Sequence, residues 1–142
     1  MTEPAPIVVS ELRKAGDDRA DPNMTAWIAG RDAAAFFLSA ITVMELEIGV
    51  RRIERRDEVQ GALLRAWLDD QVLREFDGRV LSVDTVVALQ CARLHIPDPR
   101  SDRDALIAAT ALVHGMTVVT RNVADFRNMG IPLVDPWNTP AG

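Results

Sequence analysis

The stretch SDRDALIAATALVHGMTVVTRNVADF, residues 101–126, decides the fold of this chain. Residues 105–113 are apolar almost without interruption, a run too short to span a bilayer and typical of a helix that is buried on most sides. Gly115 ends this helix, and the mostly β-branched residues 116–120 follow as a strand. A buried helix that passes through a tight glycine turn into a short apolar strand is the second half of a βαβ unit. The stretch therefore predicts a parallel sheet.

Acidic residues lie on both sides of this helix and strand. Asp104 is in the first turn of the helix, and Asp125 follows the strand together with Asn122. Glu45 comes shortly after another apolar segment, residues 34–39, which is predicted to be a strand of the same sheet. Because ligands of parallel sheets bind outside the carboxyl ends of the strands, we expect these residues to face a common site.

Carboxylates gathered at one edge repel each other unless a cation lies between them. A hard divalent ion, Mg²⁺ or Mn²⁺, takes such oxygen ligands, so Glu45 and Asp104 are the predicted metal ligands. Such a metal can activate water for an in-line displacement at phosphorus. A structural alternative stays open, because Ser101-x-x-Asp104 and Thr42-x-x-Glu45 both fit the capping box, in which the acid only satisfies helix N–H groups.

The composition of the whole chain predicts one globular domain. Its 142 residues, 48% hydrophobic and 26% charged, suffice for a single core, and we treat residues 1–142 as one unit. Cys91 is the sole cysteine, which favours a reducing compartment. No segment has the length of a membrane span or the pattern of a signal peptide, so we expect a cytoplasmic protein that does not contact a membrane.

The net charge of −5 argues against a protein that coats nucleic acid, since phosphate binding draws most of its affinity from cations. The local exception is Arg51, Arg52, Arg55 and Arg56 in one predicted helix. These arginines either contact phosphates or an acidic partner, or form a solvated helix face with the acids between them.

The remaining periodicities predict alternating helices and strands, which places the chain in the α/β class. Helices are expected at residues 8–14, 22–29, 42–56, 58–75 and 85–94, and strands at 34–39, 80–83 and 132–134. In the helix at 58–75, a buried face is predicted from the spacing of Val59, Leu63, Ala66 and Trp67.

Four segments, in this order and spacing, resemble PIN-domain ribonucleases of the VapC toxin type. They are VVSELRK at 8–14, FLSAITVMELEIGV at 37–50, DALIAATALVHGMTVVTRNVADF at 104–126 and DPW at 135–137. The resemblance implies a PIN-like fold of three layers, with helices on both faces of a mostly parallel central sheet. It also implies an Mg²⁺-dependent endoribonuclease of a type II toxin–antitoxin system, with RNA as substrate, a VapB-like antitoxin in its active-site groove, and a homodimeric assembly.

The resemblance also assigns site residues by position. Glu45 matches the acid of the family's central E-L-x-x-G segment, and Asp104 matches the acid that opens the D-x-L-I-A-A helix. Asn122 and Asp125 belong to the loop after the Thr-Arg pair. The implied catalytic residues are therefore Glu45, Asp104, Asn122 and Asp125, of which Glu45 and Asp104 bind the metal.

The chain departs from the family pattern at its start. Ala5, Pro6 and Ile7 stand where the family has an Asp-Thr-Asn turn whose Asp is a metal ligand. Pro4 and Pro6 lack the N–H groups that a middle strand donates, so the first central strand is expected to be missing or degraded. A second function therefore stays open, a catalytically impaired binding module that dimerises or binds an antitoxin without cleaving RNA.

Overall fold

The computed structural model describes residues 7–9 and 32–135. Within these residues, five parallel strands form one sheet in the order β3-β2-β1-β4-β5. The strands are β1 (Ile7–Val9), β2 (Phe36–Ser39), β3 (Val80–Leu81), β4 (Thr117–Val119) and β5 (Leu133–Val134). The predicted α/β class with a parallel sheet is confirmed.

The helices are α1 (Ala40–Arg56), α2 (Glu58–Ala66), a π-helical segment (Trp67–Val72), α3 (Leu73–Glu75), α4 (Thr85–Leu94), α5 (Asp102–His114) and α6 (Val123–Phe126), with a 3₁₀ turn at Ala33–Ala35. In the part of the chain that the structure describes, none of these helices has the length and hydropathy needed to cross a bilayer.

Helices cover both faces of the sheet, which gives three layers. Ile7 and Val9 face one side, where they pack with Leu68 of the π-helical segment. Val8 lies between them in the strand and faces the other side, where it packs with Ile107 of α5. This alternation is the two-residue period of a strand that is buried on both faces. The three-layer arrangement implied by the resemblance is confirmed.

The first central strand is present, and the expectation that it is missing or degraded was wrong. β1 lies between β2 and β4, with Val9 level with Leu38 and Val119. Ile7–Val9 are three buried β-branched residues, which suit a central strand. Both prolines come before Ile7 in the chain, so neither removes an N–H group from the strand.

Two predicted helices fall on the N-terminal region. Residues 8 and 9 belong to β1 and not to the helix predicted at 8–14, whose remainder lies outside the described residues. The helix predicted at 22–29 also lies outside them. This segment contains the apolar residues Met24, Trp27 and Ile28, which the sequence makes candidates either for antitoxin binding or for the core. Their role stays a prediction.

Helix α1 begins earlier than predicted. The Oγ of Ser39 accepts a hydrogen bond from the N–H of Ile41 at 3.0 Å, so Ser39 caps the helix. Thr42 lies buried inside α1, and the predicted capping box around it is wrong. Glu45 falls in the second turn, beyond the N–H groups that need a cap. The capping alternative therefore does not apply to Glu45.

Helices α1 and α2 pack closely through Gly61. A Cβ atom at this position would lie 2.6 Å from the Cα of Glu54. One turn further along α2, Arg65 forms ion pairs with Glu47 at 2.7 Å and Glu54 at 3.2 Å. Hydrogen bonds from Arg65 and then Arg51 lower the pKa of Glu47 to about 2. These contacts hold α2 against the helix that carries Glu45.

The predicted buried face of the helix at 58–75 is wrong. Val59 and Leu63 are 69% and 50% exposed, and Ala66 is exposed as well. The approach of α2 to α1 through Gly61 turns these residues outward, while Leu68 and Val72 of the π-helical segment enter the core. Trp67 is half-buried.

Candidate active site at the carboxyl edge of the sheet

Two buried hydroxyl groups mark the edge of the sheet from which the candidate site is built. Ser39 ends β2 and Thr120 follows β4, and both side chains are fully buried. Each hydroxyl accepts a hydrogen bond from the backbone N–H two residues further along, that of Ile41 at 3.0 Å and that of Asn122 at 2.9 Å. The chain leaves the sheet at this edge into α1 after β2 and into α6 after β4.

Glu45 of α1 reaches the N-terminal end of α5. Its Oε2 atom lies 3.7 Å from Nη1 of Arg103, in the first turn of α5. The side chains of Glu45 and Arg103 are 38% and 49% exposed. This ion pair joins the helix that follows β2 to the helix that precedes β4.

Asp104 is half-buried in the same turn of α5. The Oγ of Ser101 accepts a hydrogen bond from the N–H of Asp104 at 3.5 Å, so the predicted helix cap at Ser101 is confirmed. Burial raises the pKa of Asp104, and the negative charge of Asp125 in α6 raises it further. The hydrogen bond with the Ser101 side chain lowers it. Because the charge of Asp125 acts on Asp104, these two carboxylates belong to one electrostatic site.

Asn122 stands directly before α6, and its side chain does not cap that helix. Its backbone N–H donates to Thr120, and its carbonyl accepts a hydrogen bond from the N–H of Asp125 at 3.0 Å. These two hydrogen bonds fix the backbone of the loop that carries Asn122 and Asp125.

Of the predicted site residues, Asp104 and Asp125 lie close enough for the charge of one to act on the other. Glu45 is paired with Arg103, a residue that was not predicted. Among residues 7–9 and 32–135, no three His, Cys, Asp or Glu side chains are close enough to hold a metal ion together. The position that the resemblance assigns to a further Asp, residue 5, lies outside those ranges.

The chemistry of the donor set nevertheless fits Mg²⁺. This ion takes carboxylate oxygens, commonly one or two from the protein, and completes its shell with waters and substrate phosphates. Asp104 and Asp125 repel each other as neighbouring anions, and a cation between them would relieve that repulsion. The described residues therefore suit a hard cation that takes some of its oxygen ligands from the protein and the others from waters and a phosphate.

Arg103 is the residue of this edge that sequence reasoning missed. It stands between Asp102 and Asp104 in the first turn of α5. The positive end of the helix dipole disfavours a cation at this position, and that mismatch is the one local signal in the sequence that could have drawn attention to Arg103.

Comparison with known proteins identifies similar chains. Residues 8–131 match the model of the PIN domain family. VapC ribonuclease Y4jK of Sinorhizobium fredii is 36% identical over 138 residues, which cover 92% of this chain and 93% of that protein. Toxin FitB of Neisseria gonorrhoeae is 32% identical over 127 residues, which cover 84% of this chain and 90% of that protein.

Solved structures have the same fold. FitAcB from Neisseria gonorrhoeae matches with a TM-score of 0.79 and 29% identity, over 94% of this chain and 99% of that one. FitAB bound to an IR36 DNA fragment matches with a TM-score of 0.80 and 27% identity, over 94% of this chain and 97% of that one.

Proposed function

Because this chain belongs to the PIN-domain family, we propose that it is the toxin of a VapBC-type toxin–antitoxin system, an endoribonuclease that cleaves RNA phosphodiester bonds with Mg²⁺ or Mn²⁺. The observation that carries this proposal is the half-buried Asp104 at the carboxyl edge of the sheet, whose pKa is raised by burial and then by the charge of Asp125. The relative named as a VapC ribonuclease supports the reaction class, and the relative named as toxin FitB supports the role of a toxin.

Each site residue has a distinct role in this proposal. Asp104 and Glu45 would hold the metal, and Asn122 and Asp125 would complete the site. When bound, such a metal activates water and stabilises an in-line displacement at phosphorus. Thr120 holds the loop of Asn122 and Asp125 in place through its hydrogen bond to the Asn122 N–H. Partial burial lowers the local dielectric around Asp104 and so strengthens its attraction to a cation.

The decisive experiment is RNA cleavage with Mg²⁺ by the purified protein and by two single variants. Asp104→Ala should lower the cleavage rate by at least about 100-fold, because it removes a metal ligand. Asp102→Ala is the matched control, since Asp102 lies in the same first turn of α5 but is 89% exposed and faces His95. Equal cleavage by wild type and Asp104→Ala would end the assignment.

A second candidate is a PIN-fold binding module without nuclease activity. The observation that favours it is that Ala5, Pro6 and Ile7 offer no carboxylate where the family has its first Asp. Calorimetry with Mn²⁺ separates the two candidates. Micromolar binding that Glu45→Ala abolishes supports the nuclease, whereas absence of binding by wild type supports the module.

The proposed protein partner is a VapB-like antitoxin, and the proposed location is the cytoplasm. The FitAcB and FitAB structures, which match over most of this chain, support such a partner. Expression of the chain alone in a bacterial host should stop growth, and co-expression of the reading frame next to its gene should restore it. Growth arrest that the neighbouring product does not relieve would contradict the pairing.

The proposed assembly is a homodimer, and an exposed apolar stripe on α4 supports a protein contact there. Val86 and Leu89 of this helix and Ile96 just beyond its end are 58%, 64% and 75% exposed. Leu89→Arg should convert a dimer into a monomer in sedimentation experiments, because the stripe would carry an unpaired charge. Ala88→Arg changes another exposed face of the same helix and should leave the dimer intact. A dimer that withstands Leu89→Arg would exclude the stripe as the interface.

A further inference from the structure

Arg103 has an unusual position for a cation. It lies in the first turn of α5 between two acids, and its Nη1 atom is 3.7 Å from Oε2 of Glu45. That distance is an ion pair without a hydrogen bond, and half of the Arg103 side chain is exposed. Exposed ion pairs of this kind contribute little, so the guanidinium can exchange Glu45 for another anion at small cost.

The hydrogen-bond donors of Arg103 are not used within the described ranges 7–9 and 32–135. Three other arginines are occupied there: Arg65 binds Glu47 and Glu54, Arg79 donates to the carbonyl of Phe36, and Arg100 donates to the carbonyl of Arg127. What distinguishes Arg103 from further exposed arginines is its place beside Glu45 in the candidate site. A guanidinium carries five N–H donors in a plane, and pairs of these donors match two oxygens of one phosphate. Arg103 therefore presents a phosphate-binding group next to Asp104 and Glu45.

The charge of the site explains the need for such a group. Glu45, Asp104 and Asp125 are acidic, and the whole chain has a net charge of −5. This field repels a polyanion, and RNA affinity depends on cations that neutralise its phosphates. A cation beside these acids would offset the repulsion between the site and the RNA phosphates at the place where the scissile bond would lie.

We infer that Arg103 is a substrate-binding residue that contacts an RNA backbone phosphate adjacent to the scissile bond, leaving Glu45 when RNA enters. This inference rests on the proposed ribonuclease function and adds to it a residue outside the acidic set. Its contact is to the phosphate, so it contributes affinity without selecting a base sequence.

The test is RNA binding measured by fluorescence anisotropy at several salt concentrations. The probe is a labelled single-stranded RNA of roughly 12 nucleotides with phosphorothioate linkages that resist cleavage, in buffer containing Mg²⁺. The proteins are wild type, Arg103→Ala, Arg103→Lys and the control Arg74→Ala. Arg74 is an exposed arginine of α3, which leads into the amino end of β3 and so lies at the opposite edge of the parallel sheet.

Arg103→Ala should weaken binding about fivefold at about 100 mM NaCl, because it removes one charge-assisted phosphate contact. The slope of log affinity against log salt should become shallower by about 0.7, the value for one phosphate of a single strand. Arg103→Lys should restore the slope and part of the affinity, since lysine keeps the charge without the planar fork. Arg74→Ala should bind as wild type does.

Two outcomes would overturn the inference. If Arg103→Ala binds the RNA as tightly as wild type, Arg103 does not contact a phosphate. If binding is weakened but the salt slope is unchanged, Arg103 acts by positioning Glu45 and not by contacting a phosphate. Failure of wild type itself to bind the RNA would instead count against the proposed ribonuclease function. The two failures are therefore distinguishable.

Discussion

Replacement of Gly61 by alanine tests the close packing of α1 and α2 most directly. The added Cβ would lie 2.6 Å from the Cα of Glu54, 2.8 Å from its Cγ and 3.0 Å from its backbone N. Two of these three atoms are backbone, so rotation of a side chain cannot remove the clash. The helices must move apart, and the ion pairs of Arg65 with Glu47 and Glu54 would lengthen with them.

Two opposing effects set the size of the change. Overpacking of a well-packed contact costs about 1–3 kcal/mol, and the backbone clash places Gly61→Ala towards the upper end of that range. Alanine regains about 1 kcal/mol of helix propensity relative to glycine. The free energy of unfolding should therefore fall by about 1–2 kcal/mol, which corresponds to a decrease in Tm of roughly 3–8 °C for a domain of this size.

Gly49→Ala is the matched control. Gly49 lies in α1, and a Cβ there would meet no atom within 4 Å. Only the propensity gain applies, so the variant should be more stable than wild type by about 0.5–1 kcal/mol. Urea denaturation followed by circular dichroism measures both changes. If both variants were stabilised equally, α1 and α2 would not be in contact at Gly61.

Two further predictions concern polar groups. The arginine partners of Glu47 lower its pKa from 4.5 to about 2, so its ion pairs stabilise the fold above pH 4.5 and this stability is lost as the pH falls through 2. Glu47→Gln should therefore lower Tm at pH 7 but not at pH 2, and an equal decrease at both pH values would contradict this linkage. Thr120→Val should lower the free energy of unfolding by about 1 kcal/mol in urea denaturation, because the Asn122 N–H loses its acceptor. Thr110→Val is its control, since Thr110 only donates to the helix carbonyl of Leu106, and an equal loss in both variants would exclude the Asn122 hydrogen bond as the cause.

The elements that were predicted correctly are those with strong local signals. Gly115 adopts a left-handed conformation at φ 66°, as expected of a residue that ends a helix, and β4 begins two residues later at Thr117. Asp84 caps α4 by accepting a hydrogen bond from the N–H of Val87 at 3.0 Å. At such positions the chemistry of one or two residues decides where a helix begins or ends.

Predictions failed where the outcome depended on distant contacts. The prolines at positions 4 and 6 indicated a poor strand, but the register places the hydrogen-bonded residues after them, next to β2 and β4. Val59 and Leu63 have the spacing of a buried face, yet the Gly61 contact with Glu54 turns them outward. Register and helix rotation are set by tertiary packing, which a local pattern does not contain.

The candidate site was predictable in part for the same reason. The rule that ligands gather at the carboxyl ends of parallel strands placed Asp104 and Asp125 in one region, and the effect of Asp125 on the pKa of Asp104 agrees with it. The pairing of Glu45 with Arg103 joins α1 to α5, which are far apart in the chain. No spacing in the sequence encodes that contact.

The position of β1 has a consequence for the rate of folding. In the described sheet β1 is the link between β2 and β4, and Thr117 in β4, the partner of Ile7, lies 110 positions further along the chain. Pairing between such distant residues closes a long loop before it gains any contact, so we expect the pairing of β1 with β4 to be a slow step. Because Glu45 follows β2 and Asp125 follows β4, the two parts of the candidate site come together only when β1 has joined these strands. Assembly of the candidate site is therefore tied to the contact of longest range in the sheet.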